Sequence, residues 1–401
     1  MRICLVNLIT KTADVGMQPS SVWSKGNLRP STDADLNIVS LAKCMAARGH
    51  TVQVLISDAF RPVNPGQMSE GVEIDYLPTR LMAAFPPALA PFTPSLARTL
   101  RQGGYDIVQS GEWFQPGTIL SWMTSRSTPL QSFIWQELDV LMQAPLGLVQ
   151  RAFYASLGRK VVTDSAAVIP RSLSARAHLL EQGVPERKLS DVVHSGVDTS
   201  TFSPMDQDAC RAHFLLEGKG PVLINVSRLH PNKGLDRLIL AMKELRKEHP
   251  RAMLVIKGKG PWRAYLEGLI RSEGLTDHVR IIAKDLPREE MPMLYCTADL
   301  AVVSSVIDLF PFSAIEAIAC GVPLASAFGR GLRTDIIDQG AGLPISQAPE
   351  MMGKELALIL SDSAKLRSMG SVGRRLALDS FDFGVCAERL LTIYGGGGNA
   401  L

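Results

Sequence analysis

Residues 298–327, ADLAVVSSVIDLFPFSAIEAIACGVPLASA, pack a strand, a turn, a short helix and a second strand into one stretch. Strands that follow each other through a helix pair in parallel, so the rest of the chain must build an open α/β sheet around this unit. Residues 301–303 are a compact apolar run, 308–311 a turn, and 314–320 a short helix closed by Gly321 and Pro323. Open sheets of this kind bind ligands at such βα boundaries. The acids of the stretch have two readings. Ser313 and Glu316 stand at the spacing of a capping box, with Asp308 an ordinary turn former. Alternatively, both acids and the first amides of the helix converge on one end of the sheet, where a phosphorylated ligand would sit.

The same alternation runs through both halves of the chain. Segments 2–9, 51–57, 71–77, 107–109, 130–135 and 160–164 read as strands, with 34–48, 94–101 and 171–182 helical between them. Segment 191–204 reads as the last strand of a first domain and its exit, and the charged 206–220 as the seam. Strands 221–227, 252–256 and 279–282 then alternate with helices 235–248, 262–273 and 288–296, and helices 351–360, 363–378 and 383–394 follow. The tail, 395–401, reads as disordered. A chain of 401 residues, 46% hydrophobic, can bury two sizeable cores. The expected class is therefore α/β, with two Rossmann-like domains, 1–203 and 204–379.

Several functions are disfavoured at this stage. Lys plus Arg number 42 against 39 Asp plus Glu, a formal charge of +3 that does not call for a nucleic-acid partner. The 6 Cys have no paired spacing and read as small buried hydrophobes of a reducing compartment, with neither a disulfide frame nor a metal site. The loop 10–30 lacks the glycine fingerprint of dinucleotide binding. The N-terminus enters a strand directly, and no run approaches the roughly 18 apolar residues of a membrane span. A cytoplasmic protein is expected. Segment 81–92 reads as a buried connection between helices, or else as a surface-seeking loop in peripheral contact with a membrane.

Basic and acidic residues mark the strand exits. Arg228 and Lys233 lie at opposite ends of a loop that opens onto a helix, which makes either a pyrophosphate clamp or two solvated bases. In Lys257-Gly258-Lys259-Gly260-Pro261 the glycines permit close backbone approach and the lysines add to a phosphate field. Segment 328–333 is a basic loop that either closes on a ligand or is a plain turn. Glu137, at the end of a central strand, is either a base or hydroxyl ligand, or a helix cap. Trp113 is a candidate surface for stacking on an acceptor.

In order, Gly196-Val197-Asp198 with Phe202, Ser227-Arg228-Leu229 with Lys233-Gly234, the 258–261 loop, and Asp308 and Glu316 with Ala317, Gly321 and Pro323 resemble glycosyltransferase family 4 of the GT-B enzymes. The N-terminal half is similar through Leu41-Ala42 and Arg48-Gly49-His50, and the end through 381–394. The resemblance implies two domains facing a central cleft, with helix 380–396 crossing back onto the first. It also implies sugar transfer with retention, from a nucleotide sugar (UDP or GDP) to a hydroxyl acceptor, with no tightly bound cofactor and no metal. By the same resemblance Glu316 holds the ribose hydroxyls, Asp308 contacts the donor sugar, Arg228 and Lys233 neutralise the diphosphate, and Phe312 and Ser313 offer amides to it.

This chain departs from the family at Asp308, where a glutamate is usual, and at Pro311, a common glycine position. It also has Thr32 and Asp33 for a glycine pair, and Gln136-Glu137 for a histidine; His230 reads as a surface variation. Acceptors compatible with the resemblance are a cell-surface polysaccharide or glycolipid intermediate, or a small metabolite. Two rivals stay open. One is a GT-B phosphorylase or sugar-phosphate synthase, with Lys11, Lys25 and Arg29 facing a phosphorylated acceptor. The other is a non-enzymatic nucleotide-binding module.

Overall fold

A computed structural model of the chain describes residues 1–9, 36–62, 71–86, 88–142, 146–218, 220–306, 310–327 and 331–396. It divides into two compact units, Met1–Gly196 with Phe383–Leu401, and Val197–Asp382.

The first unit carries β1 (Arg2–Val6), β2 (Thr51–Ser57), β3 (Val72–Leu77), β4 (Ile107–Gly111), β5 (Gln131–Gln136) and β6 (Ala167–Pro170). All pair in parallel, in the order β3-β2-β1-β4-β5-β6. Ile3 faces Val52 on one side and Ile107 on the other, apolar neighbours suited to a strand covered on both faces. The second unit repeats the plan with β7 (Val222–Val226), β8 (Met253–Lys257), β9 (Val279–Ile282), β10 (Leu300–Val303), β11 (Leu324–Ser326) and β12 (Gly342–Pro344). Its order is β12-β11-β10-β7-β8-β9, also parallel throughout. Each is a doubly wound, Rossmann-like sheet. Strand order reverses between β1 and β4 and between β7 and β10, and the crevice beyond such a reversal is where ligands settle.

Helix Leu235–Glu248 presents Leu235, Leu238, Ile239, Met242 and Leu245 to its sheet and packs along helix Pro349–Leu360. In the first unit, Cys386, Ala387 and Leu390 of helix Phe383–Tyr394 share a core with Ile38, Leu41 and Met45 of helix Asn37–Ala46.

Several elements differ from the sequence expectation. Segment 160–164 is helical: Arg159–Asp164 ends a helical run that starts at Leu146 and passes a π-helical turn at Tyr154–Gly158. Val161 and Val162 have strand chemistry, but both fit the buried stripe of that run, and the strand is instead Ala167–Pro170. Segment 191–204 forms no ladder. The amide of the preceding Ser190 and that of Val193 bond to the Val168 and Pro170 carbonyls, and then the chain leaves the sheet, with only an isolated bridge between Val197 and Asp382. The seam 206–220 contains helix Gln207–His213, whose first turn is capped by Asp206 accepting from the Ala209 amide at 2.8 Å. Segment 81–92 is a turn-rich link from β3 to helix Leu96–Gln102, not a buried connection between helices; Leu81 is 64% exposed.

Candidate active site

Beyond β7 the chain turns through Ser227, Arg228 and Leu229 into the 3₁₀ turn Pro231–Lys233, and Gly234 then opens helix Leu235–Glu248. Gly234 has φ of 61°, and a Cβ there would stand 2.2 Å from the Ser304 carbonyl oxygen. Glycine is what lets this loop lie against the end of β10. Hydrogen bonds secure the approach. Ser304 Oγ donates to the Lys233 carbonyl at 2.8 Å, the Val306 amide to the Asn232 carbonyl at 2.8 Å, and Asn225 Nδ2 to the Val302 carbonyl at 2.7 Å. The loops following β7 and β10, the two strands that flank the reversal, are thereby tied together. Lys233 is 8% exposed and Arg228 is half-buried, so both charges act where salt screens them weakly.

The glycines after β8 press against the same loop. A Cβ on Gly258 would meet the Ser227 carbonyl oxygen at 1.8 Å, and one on Gly260 the Leu229 carbonyl oxygen at 2.3 Å. The backbone is laced there by the Ser227 amide to Lys257 at 3.0 Å and the Leu229 amide to Lys259 at 2.8 Å. The lysines of this segment have local partners: Lys257 Nζ donates to the Lys284 carbonyl at 3.0 Å, and Lys259 pairs with Asp285 at 2.6 Å. Their contribution to a phosphate field is reduced accordingly.

On the β10 side, Asp308 lies outside the described residues. Helix Phe312–Ala319 begins after Pro311, which takes the cap position in an extended conformation and leaves the helix without a side-chain cap. The capping-box reading therefore fails. Ser313 and Glu316 both lie inside the helix, and Glu316 accepts from the Tyr295 hydroxyl at 2.6 Å, from helix Glu290–Cys296. Desolvation pushes the Glu316 carboxyl above the usual carboxylate range, while the Tyr295 hydrogen bond and the Arg288 charge restrain the rise. Phe312 is exposed and Ser313 half-buried at a helix start whose first amides have no intrahelical acceptor. Arg228, Lys233, Gly258, Gly260, Phe312, Ser313 and Glu316 thus all lie beyond the carboxyl ends of β7, β8 and β10. His230 is 8% exposed and bonds Asn232 Oδ1 at 2.9 Å through Nδ1, a loop fastener rather than a surface variation.

Glu137 follows β5 in the first unit, where its Oε2 takes Arg171 Nη1 at 2.6 Å. The guanidinium also lies over the Trp135 ring, 4.3 Å from its centroid, and reaches the Ser195 hydroxyl. The residue at the β1/β4 reversal itself is Glu112, and sequence reasoning missed it. Its φ is 63°, rare for a side chain other than glycine. Its carboxylate accepts from the Glu137 amide and from Gln136 Nε2, each at 2.8 Å, and the Leu138 amide adds a longer contact at 3.3 Å. Desolvation and the Glu137 charge push the Glu112 carboxyl up to about 7, against these hydrogen bonds and Arg171. Trp113 is core: it stacks on Tyr154 at 4.0 Å and donates to the Gly158 carbonyl at 3.0 Å, so it offers no face to an acceptor. Among the described residues no His, Cys, Asp or Glu cluster could hold a metal ion, and no helix is long and apolar enough to cross a membrane.

Both units match described families. Residues 37–193 match the "Glycosyl transferase 4-like domain" and residues 206–376 match "Glycosyl transferases group 1". The chain belongs to the GT-B glycosyltransferases of this family 4 type. A D-inositol 3-phosphate glycosyltransferase of Segniliparus rotundus is 32% identical over 59% of this chain and 53% of its own length, so the match spans about half of that relative. One of the same name from Kineococcus radiotolerans is 28% identical over 89% of this chain and 88% of its own. Among solved structures, a sucrose-phosphate synthase from Thermosynechococcus elongatus has a TM-score of 0.74 at 21% identity, covering 98% of both chains. HepE of Anabaena, solved with UDP, has a TM-score of 0.73 at 15% identity, covering 99% of this chain and 100% of its own. At these identities the two structures bear on the fold alone, and both share that of this glycosyltransferase.

Proposed function

We propose that the chain transfers a hexose with retention from a UDP- or GDP-sugar to a hydroxyl acceptor, with Val197–Asp382 holding the donor and the first unit receiving the acceptor. The observation that carries this is the fastening of the Arg228–Lys233 loop to the end of β10, within one crevice that Glu316 also serves. As the bond from the sugar anomeric carbon to the diphosphate breaks, its electron pair passes to the departing phosphate oxygen, where Arg228 and Lys233 stabilise the charge. The acceptor oxygen bonds the anomeric carbon from the same face and its proton goes to that phosphate oxygen. No pair of hydrolase-type carboxylates is needed. Glu316 receives the ribose hydroxyls, the amides of Phe312 and Ser313 the phosphates, and Asp308 orients the sugar. Glu137 is assigned to the acceptor hydroxyl. A cytoplasmic location goes with this reading.

A second reading, transfer onto a phosphorylated acceptor as in a sugar-phosphate synthase, draws support from the relatives named for D-inositol 3-phosphate. Calorimetric titration of UDP, GDP and ADP into wild type and Lys233→Ala tests the donor half. One nucleotide is expected to bind and the substitution to weaken it, and in a transfer assay with the matching nucleotide sugar Lys233→Ala is expected to cost about 10²- to 10³-fold in turnover, as for loss of one charge-stabilising group. Folded protein that binds none of the nucleotides rules the reading out. Binding of a nucleotide sugar with neither transfer nor slow donor hydrolysis would favour a binding module.

A further inference from the structure

The first unit holds a pocket of about 450 Å³ whose walls include three arginines, Arg80, Arg98 and Arg101, with Ser95 beside them and Pro78 and Pro94 as apolar lining. It contains none of the residues assigned to the donor or to the acceptor hydroxyl. Two elements build it. Arg98 and Arg101 are three positions apart on helix Leu96–Gln102 and so project from one face, where like charges repel unless something lies between them. Arg80 follows β3 and is fixed by an antiparallel bridge to Phe92, its amide donating to the Phe92 carbonyl at 2.8 Å, which sets it against the segment leading into that helix. Among the described residues no carboxylate lies within ion-pairing distance of any of the three. Arg126, Arg171, Arg176 and Arg211, by contrast, each have an acid partner.

Ser95 supplies an independent sign. It occupies the cap position of the helix, where a serine hydroxyl ordinarily accepts from an amide of the first turn, yet it makes no such bond. Its Oγ is buried with no hydrogen-bond partner, as is Oγ1 of the fully buried Thr93 two residues earlier. A buried hydroxyl left unsatisfied is costly, and Ser95 lines the same pocket as the three arginines.

We propose that this pocket binds a phosphomonoester, gripped by the guanidinium forks of Arg80, Arg98 and Arg101 with Ser95 as a further donor. Guanidinium matches phosphate in paired N–H···O contacts, and the volume accommodates a phosphate with the small organic group that carries it. The site stands apart from the transfer reading, and its test reads binding rather than turnover. Glycerol 1-phosphate is titrated calorimetrically into wild type, Arg98→Ala/Arg101→Ala, Arg98→Lys/Arg101→Lys and Lys233→Ala. In a parallel arm, the same proteins are sedimented with phosphatidylcholine vesicles with and without phosphatidic acid.

Saturable binding is expected, weakened about tenfold or more by the alanine pair, partly by the lysine pair, and unchanged by Lys233→Ala. Sedimentation that needs phosphatidic acid and is lost in the alanine pair identifies a lipid headgroup as the source. Binding of the free ester without sedimentation identifies a soluble one. Equal affinity in wild type and the alanine pair, a loss that follows Lys233→Ala instead, or no binding in either arm overturns the proposal. All three arginines are surface side chains, and an unchanged unfolding midpoint verifies that the variants are folded.

Discussion

The hydroxyl of Tyr295 sets how readily Glu316 ionises. Burial raises the carboxyl, and the 2.6 Å hydrogen bond from Tyr295 opposes the rise by favouring the charged form. If the carboxylate receives ribose hydroxyls, nucleotide affinity weakens as pH falls through this raised pKa, at higher pH than for an ordinary glutamate. Tyr295→Phe moves the loss to still higher pH and costs about 3- to 10-fold in affinity near neutrality, the net worth of a typical intramolecular hydrogen bond. Titrations of the cognate nucleotide from acid to neutral pH would measure both, and an unchanged pH profile would refute the role. Glu112 permits a test that needs no ligand. Its folded carboxyl is raised to about 7, so its contribution to stability is full below the ordinary carboxylate range, declines as pH rises, and is gone above about 7. Glu112→Gln keeps an acceptor for the Glu137 amide and removes the titration. The wild type should lose about 2 kcal/mol between mildly acid and mildly alkaline pH, and the variant should lose much less, in denaturant unfolding. Parallel slopes would contradict the assignment.

At the scale of elements, close backbone approach is what aligns the loops after β7, β8 and β10. Gly258→Ala drives a Cβ into the Ser227 carbonyl, and Gly234→Ala combines a similar clash with a left-handed backbone. Each should cost about 1–3 kcal/mol and weaken nucleotide binding more than its effect on folding accounts for, because the Arg228–Lys233 loop must shift. Binding and melting of the two variants, measured side by side, check this; unaltered nucleotide affinity would count against it. These loops were legible in the sequence because glycine, proline and cations at strand exits carry local signals, and strand β9 and helix Phe383–Tyr394 were readable residue for residue from their apolar periods. Other features depended on tertiary partners. Val161 and Val162 have strand propensity but complete the buried face of a helical run. Ser313 and Glu316 had capping-box spacing, yet the helix starts two residues too early for it and Tyr295 captures the glutamate. Glu112 has no sequence signal at all, since its backbone conformation and its contacts with the 136–138 segment appear only once β4 and β5 are paired.

For the molecule as a whole, the chain completes its first unit only after building the second. It leaves the first at Gly196 and returns at Phe383, and the two crossings are held side by side. The Val197 amide donates to the Phe381 carbonyl at 2.7 Å, and Thr199 Oγ1 donates to Asp382 Oδ2 at 2.6 Å. Glycine is required at the first crossing, because a Cβ on Gly196 would lie 2.1 Å from the Phe383 ring. Helix Phe383–Tyr394 then covers Ile38, Leu41 and Met45, and its Tyr394 hydroxyl donates to buried Gln109 of β4 at 2.6 Å. A core assembled from residues so distant in sequence forms late and is sensitive to its last piece. Leu390 is fully buried, so Leu390→Ala should cost about 2–5 kcal/mol through the cavity it leaves. Calorimetry distinguishes that loss from damage to the donor side. Nucleotide should still bind the folded variant with wild-type affinity while thermal unfolding of the first unit moves to lower temperature. A variant that lost nucleotide affinity without losing stability would mean that the final helix serves the second unit's ligand rather than the first unit's core.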